Sequence, residues 1–235
     1  MDQPATPSPD HGLALTERAI AAVDADPHRL VLDYNEAAGP WVGGERTPFP
    51  ADLLATAALP GGRPLSPSLR RWLAYDTSLL RRFGWFGPTT WYADRPTGAT
   101  GADPGFELTP RPLGELARAE YGDGWGAVYD ALSGRFPECF LLPGGSDSRR
   151  VLAVGAPDGH GEYPVFALDI DDLPCIELMY PGFDVYLADT AGLITRRGSG
   201  YSALAADHRY GARMHLHARH AFGGAMAEEC LDPPS

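Results

Sequence analysis

Residues 161–193 constrain the chain most. Two apolar runs, 165–168 and 175–180, flank an acidic turn that holds Asp169, Asp171 and Asp172. This is the pattern of two strands joined by a short polar loop. The period then changes. Phe183, Tyr186, Leu187 and Ala191 are spaced for one face of a helix, and Gly192 stands where a helix stops. Strand, turn, strand, helix is a unit with one buried side, so the rest of the chain must supply its cover.

The strongest helix signal lies upstream. Ser66 is a good N-cap, and Pro67 sits at the first helical position, where its missing N–H costs nothing. Leu69, Trp72, Leu73, Leu79, Leu80 and Phe83 continue at helical spacing. Asp76 falls on that apolar face. It reads either as an edge carboxylate capping a neighbouring loop or as an active-site acid. Before this helix, Thr16 is placed to cap a helix through residue 23, residues 29–34 read as a strand, and 50–58 as a short helix. After it come an aromatic stretch (84–92, with Trp85, Phe86, Trp91 and Tyr92), a Pro/Gly/Thr loop at 93–111, and one or two helices over 113–132 broken near 122–126. Strands are expected at 136–143 and 150–155, and a helix over 203–222. Residues 1–14 and 223–235 read as flexible tails, and 15–222 as a single domain with a loop insertion near 93–111.

Of the 235 residues 44% are apolar, enough for a core, while 28 glycines and 23 prolines predict many loops. The opening residues contain no apolar block for a signal peptide, and no run is long enough to span a membrane, so a cytoplasmic protein is expected. Three scattered cysteines encode neither a disulfide framework nor a Cys-x-x-Cys metal site. Every basic residue is arginine, and the net charge of −12 argues against direct nucleic-acid binding, which needs a basic face.

The order of these elements resembles the SUKH superfamily, the Smi/Knr-type domain. Leu65-Ser66-Pro67-Ser68-Leu69-Arg70-Arg71-Trp72-Leu73 is similar to that family's Leu-Pro-x-x-Leu/Tyr-x-x-Phe/Trp-Leu helix. Tyr163-Pro164-Val165-Phe166-Ala167-Leu168-Asp169, with Pro181-Gly182-Phe183-Asp184-Val185-Tyr186-Leu187-Ala188, is similar to its late strands and closing helix. The likeness spans residues 50–193 without the middle insertion. It implies an α+β fold, a twisted, mostly antiparallel sheet with helices packed against it. It also implies action by binding: many bacterial members are immunity proteins that neutralise a toxin encoded beside them, and fungal members are regulatory scaffolds. No catalytic residues and no cofactor come with the family.

Residues 151–195 hold eight acidic side chains (Asp158, Glu162, Asp169, Asp171, Asp172, Glu177, Asp184, Asp189) and no arginine. Such a segment suits a face that steers a basic partner, for example the cleft of a toxin nuclease, or else an ordinary solvated edge. The expected partner-binding residues are Asp169, Asp171, Asp172, Glu177 and Asp184. Calcium is disfavoured, because Pro174 and Tyr180 occupy the places of the required glycine and glutamate. His208, His215, His217 and His220 do not converge as zinc ligands on a helix. Residues 144–148 lack the final glycine of a nucleophile elbow, and no lysine is present to complete a phosphate loop. The expectation is a non-catalytic toxin-binding immunity protein. The alternatives are a regulatory scaffold of the same fold and, from another class, a small hydrolase using Asp76 and a loop histidine.

Overall fold

The computed structural model describes residues 9–33, 36–42, 44–86, 105–144, 148–170, 174–196, 198 and 200–230, without the side chains of 32–38. The architecture is α+β. The opening elements are α1 (Gly12–Ala25), the hairpin β1 (Leu30–Asp33) and β2 (Glu36–Pro40), α2 (Ala51–Thr56), α3 (Pro67–Leu73) and α4 (Ser78–Arg82). They are followed by α5 (Leu113–Tyr121), α6 (Asp123–Ser133), β3 (Cys139–Leu142), β4 (Ser148–Ala153), β5 (Val165–Asp169) and β6 (Cys175–Tyr180). The chain closes with α7 (Phe183–Thr190), a 3-10 helix (Tyr201–Ala206), α8 (Gly211–Phe222) and β7 (Ala227–Glu229). The main sheet is antiparallel throughout, in the order β3-β4-β5-β6-β7.

The β5–β6–α7 unit forms as its periodicity predicts, and both of its sides are covered. Cross-strand register puts Phe140 and Phe166 on opposite faces. Phe166 meets Phe136 and Phe222, with ring centroids 5.1 and 5.3 Å away. On the same side, Tyr121 of α5 donates to the Leu168 carbonyl. Across the sheet, the Trp85 ring stacks on Phe140 at 4.4 Å and approaches Phe183 of α7 at 6.4 Å. Outside α7 lie α3 and α1, which also touch each other. Trp41, Trp72, Trp85, Tyr129 and Phe183 are all buried in one continuous core.

Several boundaries depart from the sequence reading. Helix α1 starts at Gly12, so residues 12–14 belong to the fold and not to a tail, and Thr16 lies within the helix, its hydroxyl bonded back to the Gly12 carbonyl. The helix expected to run to Phe83 is two helices. Ser66 caps α3 as anticipated, but the chain breaks at residues 74–77 and restarts as α4. Asp76 causes the restart. Its carboxylate accepts the N–H of Ser78 at 3.0 Å and the Ser78 hydroxyl at the head of α4, and also the N–H of Thr47 at 2.7 Å. The break between α5 and α6 falls at Gly122, whose φ of +98° few other residues adopt. The expected tail at 223–235 is corrected as well: β7 extends the sheet along β6, with Glu228 paired to Arg135. Trp91, Tyr92 and most of the 93–111 loop lie outside the described residues.

Candidate functional site

The predicted acidic face divides into two environments. By register, Ser148, Arg150, Ala167, Asp169, Cys175 and Glu177 share one face of the sheet. There Asp169 and Glu177 are half-buried beneath the 3-10 helix. Glu177 accepts the Ser202 N–H at 2.7 Å and so holds the start of that helix. The Arg150 guanidinium lies over the Tyr201 ring at 5.4 Å. Asp171 and Asp172 lie outside the described residues.

The strand ends that flank the acidic turn are pinned from below. Tyr129 of α6 is buried, and its hydroxyl lies 2.6 Å from the Asp169 carbonyl and 3.0 Å from the Cys175 carbonyl. One side chain thus bridges the last residue of β5 and the first residue of β6. Helix α6 thereby ties together the two strand ends that lead into the acidic segment.

Asp184 belongs elsewhere, which corrects its place among the partner-binding residues. It is fully buried in the first turn of α7, and Arg213 of α8 reaches both of its oxygens, at 2.8 and 3.0 Å. The Gly12 N–H donates to the same carboxylate at 2.7 Å. Arg213 also donates through Nε to Asp158 and through Nη2 to the Pro181 carbonyl at 3.4 Å. Glu162 lies alongside, accepting the N–H of Ser68 at 2.9 Å and the Ser68 hydroxyl. Five segments meet here: the starts of α1, α3, α7 and α8, and the β4–β5 connection. Gly182 is required at the junction, because a Cβ there would come within 2.6 Å of Arg213 Nη2 and Glu162 Cβ.

The charges in this cluster are uneven. Burial and the adjacent Asp184 charge push the Glu162 carboxyl up to about 8, against the pull of the Ser68 hydrogen bonds. Burial would also raise Asp158, but His217 and Arg213 outweigh it and hold that carboxyl well below the usual range. Burial opposes the charge of Arg213, and Asp184 and Asp158 more than restore it. Of the two shifted carboxyls, Glu162 therefore holds its proton more firmly than Asp158. His217 is fully buried beside it, with Nε2 3.8 Å from Asp158 Oδ2 and neither ring nitrogen hydrogen-bonded among the described residues.

Arg213 is the residue that sequence reasoning missed, and His217, weighed there only as a zinc ligand, is buried beside it. A signal for them exists: Tyr210, Arg213, Met214, His217 and Ala218 share the buried face of α8, so a guanidinium and an imidazole fall at apolar-face positions. The four histidines do not share one environment. His208 precedes α8, His215 and His220 are exposed, and His217 is buried. Among the described residues no group of three or more His, Cys, Asp or Glu side chains is placed to hold a metal ion. No helix among them is long and apolar enough to cross a membrane.

Compared with family models, curated proteins and solved structures, the chain matches none.

Proposed function

We propose that this chain is a non-catalytic, cytoplasmic binding protein of the SUKH-like immunity type, which neutralises a basic protein toxin by covering its surface. The observation that carries the reading is the tyrosine-braced base of the β5–β6 turn. Tyr129 ties together the two strand ends between which the sequence is rich in aspartate. Charges mounted on a rigid element lose little freedom when a partner docks. The net charge of −12 adds a long-range pull on a basic partner and repels nucleic acid that would compete for a nuclease cleft. Asp169, Asp171 and Asp172 are the contact residues in this reading; Glu177 is partly committed to Ser202, and Asp184 is internal.

Co-expression with the toxin encoded beside this chain tests the reading. The chain should rescue growth and co-purify with the toxin in near-equal amounts. Triple reversal of Asp169, Asp171 and Asp172 to Arg should slow association about tenfold or more at low salt and flatten its salt dependence. Undiminished association and rescue by the triple variant would remove the turn from the interface. Failure of the wild-type chain to rescue would remove the immunity reading itself.

A further inference from the structure

The start of α1 is fastened by a small set of contacts. The Gly12 N–H reaches Asp184, and the His11 ring lies against three neighbours. His11 Nδ1 is 3.2 Å from Arg213 Nη1, its ring stacks on His160 with centroids 4.8 Å apart and planes 22° from parallel, and the edge of Tyr210 stands 5.6 Å away. Arginine only donates, so Nδ1 must accept; the ring is neutral with its proton on Nε2. We infer that His11 and His160 form an acid-released latch that holds the start of α1 against the Asp184–Arg213 pair.

The chemistry follows from the contacts. A proton on Nδ1 replaces the acceptor with a second donor facing a guanidinium. It also sets a positive charge face to face with the His160 ring in the stack. Arg213 from α8 and His160 from the β4–β5 connection oppose the charged form of His11, while Asp10 and Asp184 favour it. Behind them stand Asp158, Glu162 and His217, and Arg209 lies over Tyr210 at 4.9 Å. Burial, Arg213 and His160 prevail and hold His11 below its ordinary value. The detached ring takes up a proton first, so the latch is closed near pH 7 and favours release as pH falls below about 6.5. Release would lift Leu15, Ala19, Ile20 and Val23, the inner face of α1, off α3 and α7. The inference stands apart from the binding proposal, since no residue of the β5–β6 turn takes part.

Amide hydrogen exchange on the full chain tests it, near pH 7 and about pH 5.5, after correction for intrinsic exchange. Amides of α1 should open more often at the lower pH, by at most about eightfold, while those of β4 and β5 stay unchanged. His11→Asn, which puts an amide oxygen in place of Nδ1, should keep α1 closed and abolish the response. The exposed His160→Gln should weaken it without disturbing the fold. Equal α1 protection at both pH values in the wild type, or a full response in His11→Asn, would overturn the latch.

Discussion

Arg213 of α8 and Asp184 of α7 are joined by two near-parallel hydrogen bonds, 2.8 and 3.0 Å long, with both side chains buried. A fork-to-fork pair of this kind fixes orientation as well as distance. Arg213→Met removes one partner, strands two buried carboxylates, and should destabilise the protein by about 3–5 kcal/mol in denaturant unfolding. The double variant Arg213→Met/Asp184→Leu should recover part of that loss, because an apolar pair does not leave a lone charge behind.

Glu162 gives stability a pH dependence of defined sign. Its folded-state value of about 8 lies above its ordinary 4.5, so the folded protein keeps a proton that the unfolded chain releases. This contribution is fully present below about pH 4.5 and is lost as pH rises to about 8, with a slope of at most about 1.4 kcal/mol per pH unit. Glu162→Gln should flatten the stability profile in that window. An unchanged profile would mean that Glu162 is ionised throughout.

Asp76 illustrates how much a helix restart depends on one carboxylate. It serves two N–H groups and a hydroxyl, at Thr47 and Ser78, from a fully buried position. Asp76→Ala should cost about 1–3 kcal/mol and raise exchange at Thr47 and at the start of α4. It should leave the β5–β6 turn unaffected. If Asp76 were instead an acid in a hydrolytic site, its loss would abolish an activity; the geometry assigns it to capping.

Tyr129→Phe deletes only the hydroxyl that bridges the ends of β5 and β6. The ring stays packed, so the fold should persist at a cost of about 1–2 kcal/mol. Exchange at the amides flanking the acidic turn should rise, and association with a basic partner should slow because the turn loses its rigid base. A partner that binds the Phe variant as fast as the wild type would show that rigidity at this point is unimportant.

The β5–β6–α7 unit was legible because its periods are clean and its boundaries are punctuated by Asp, Pro and Gly. Ser66 and Pro67 likewise announced α3. The misread features share a cause. Whether the helix after Ser66 runs to Phe83 depends on Asp76 meeting Thr47, 29 residues earlier, and spacing within a window carries no record of such a contact. The acidic run at 151–195 looked like a surface because its counter-charge, Arg213, comes from a later helix. Asp158, Glu162 and Asp184 belong to that run by sequence, yet the core encloses them. β7 escaped notice because three residues, Ala-Glu-Glu, have no strand signature without β6 beside them.

That short last strand also bears on how the protein behaves when crowded. One margin of the sheet is three residues long and carries Glu229 beside the Arg135-paired Glu228, so a neighbouring chain that tried to extend the ladder would find few groups to bond and a charged edge to approach. Edge-to-edge pairing through this margin is disfavoured from the outset. Neutralising both glutamates should make concentrated solutions of the protein markedly more prone to fibrous association.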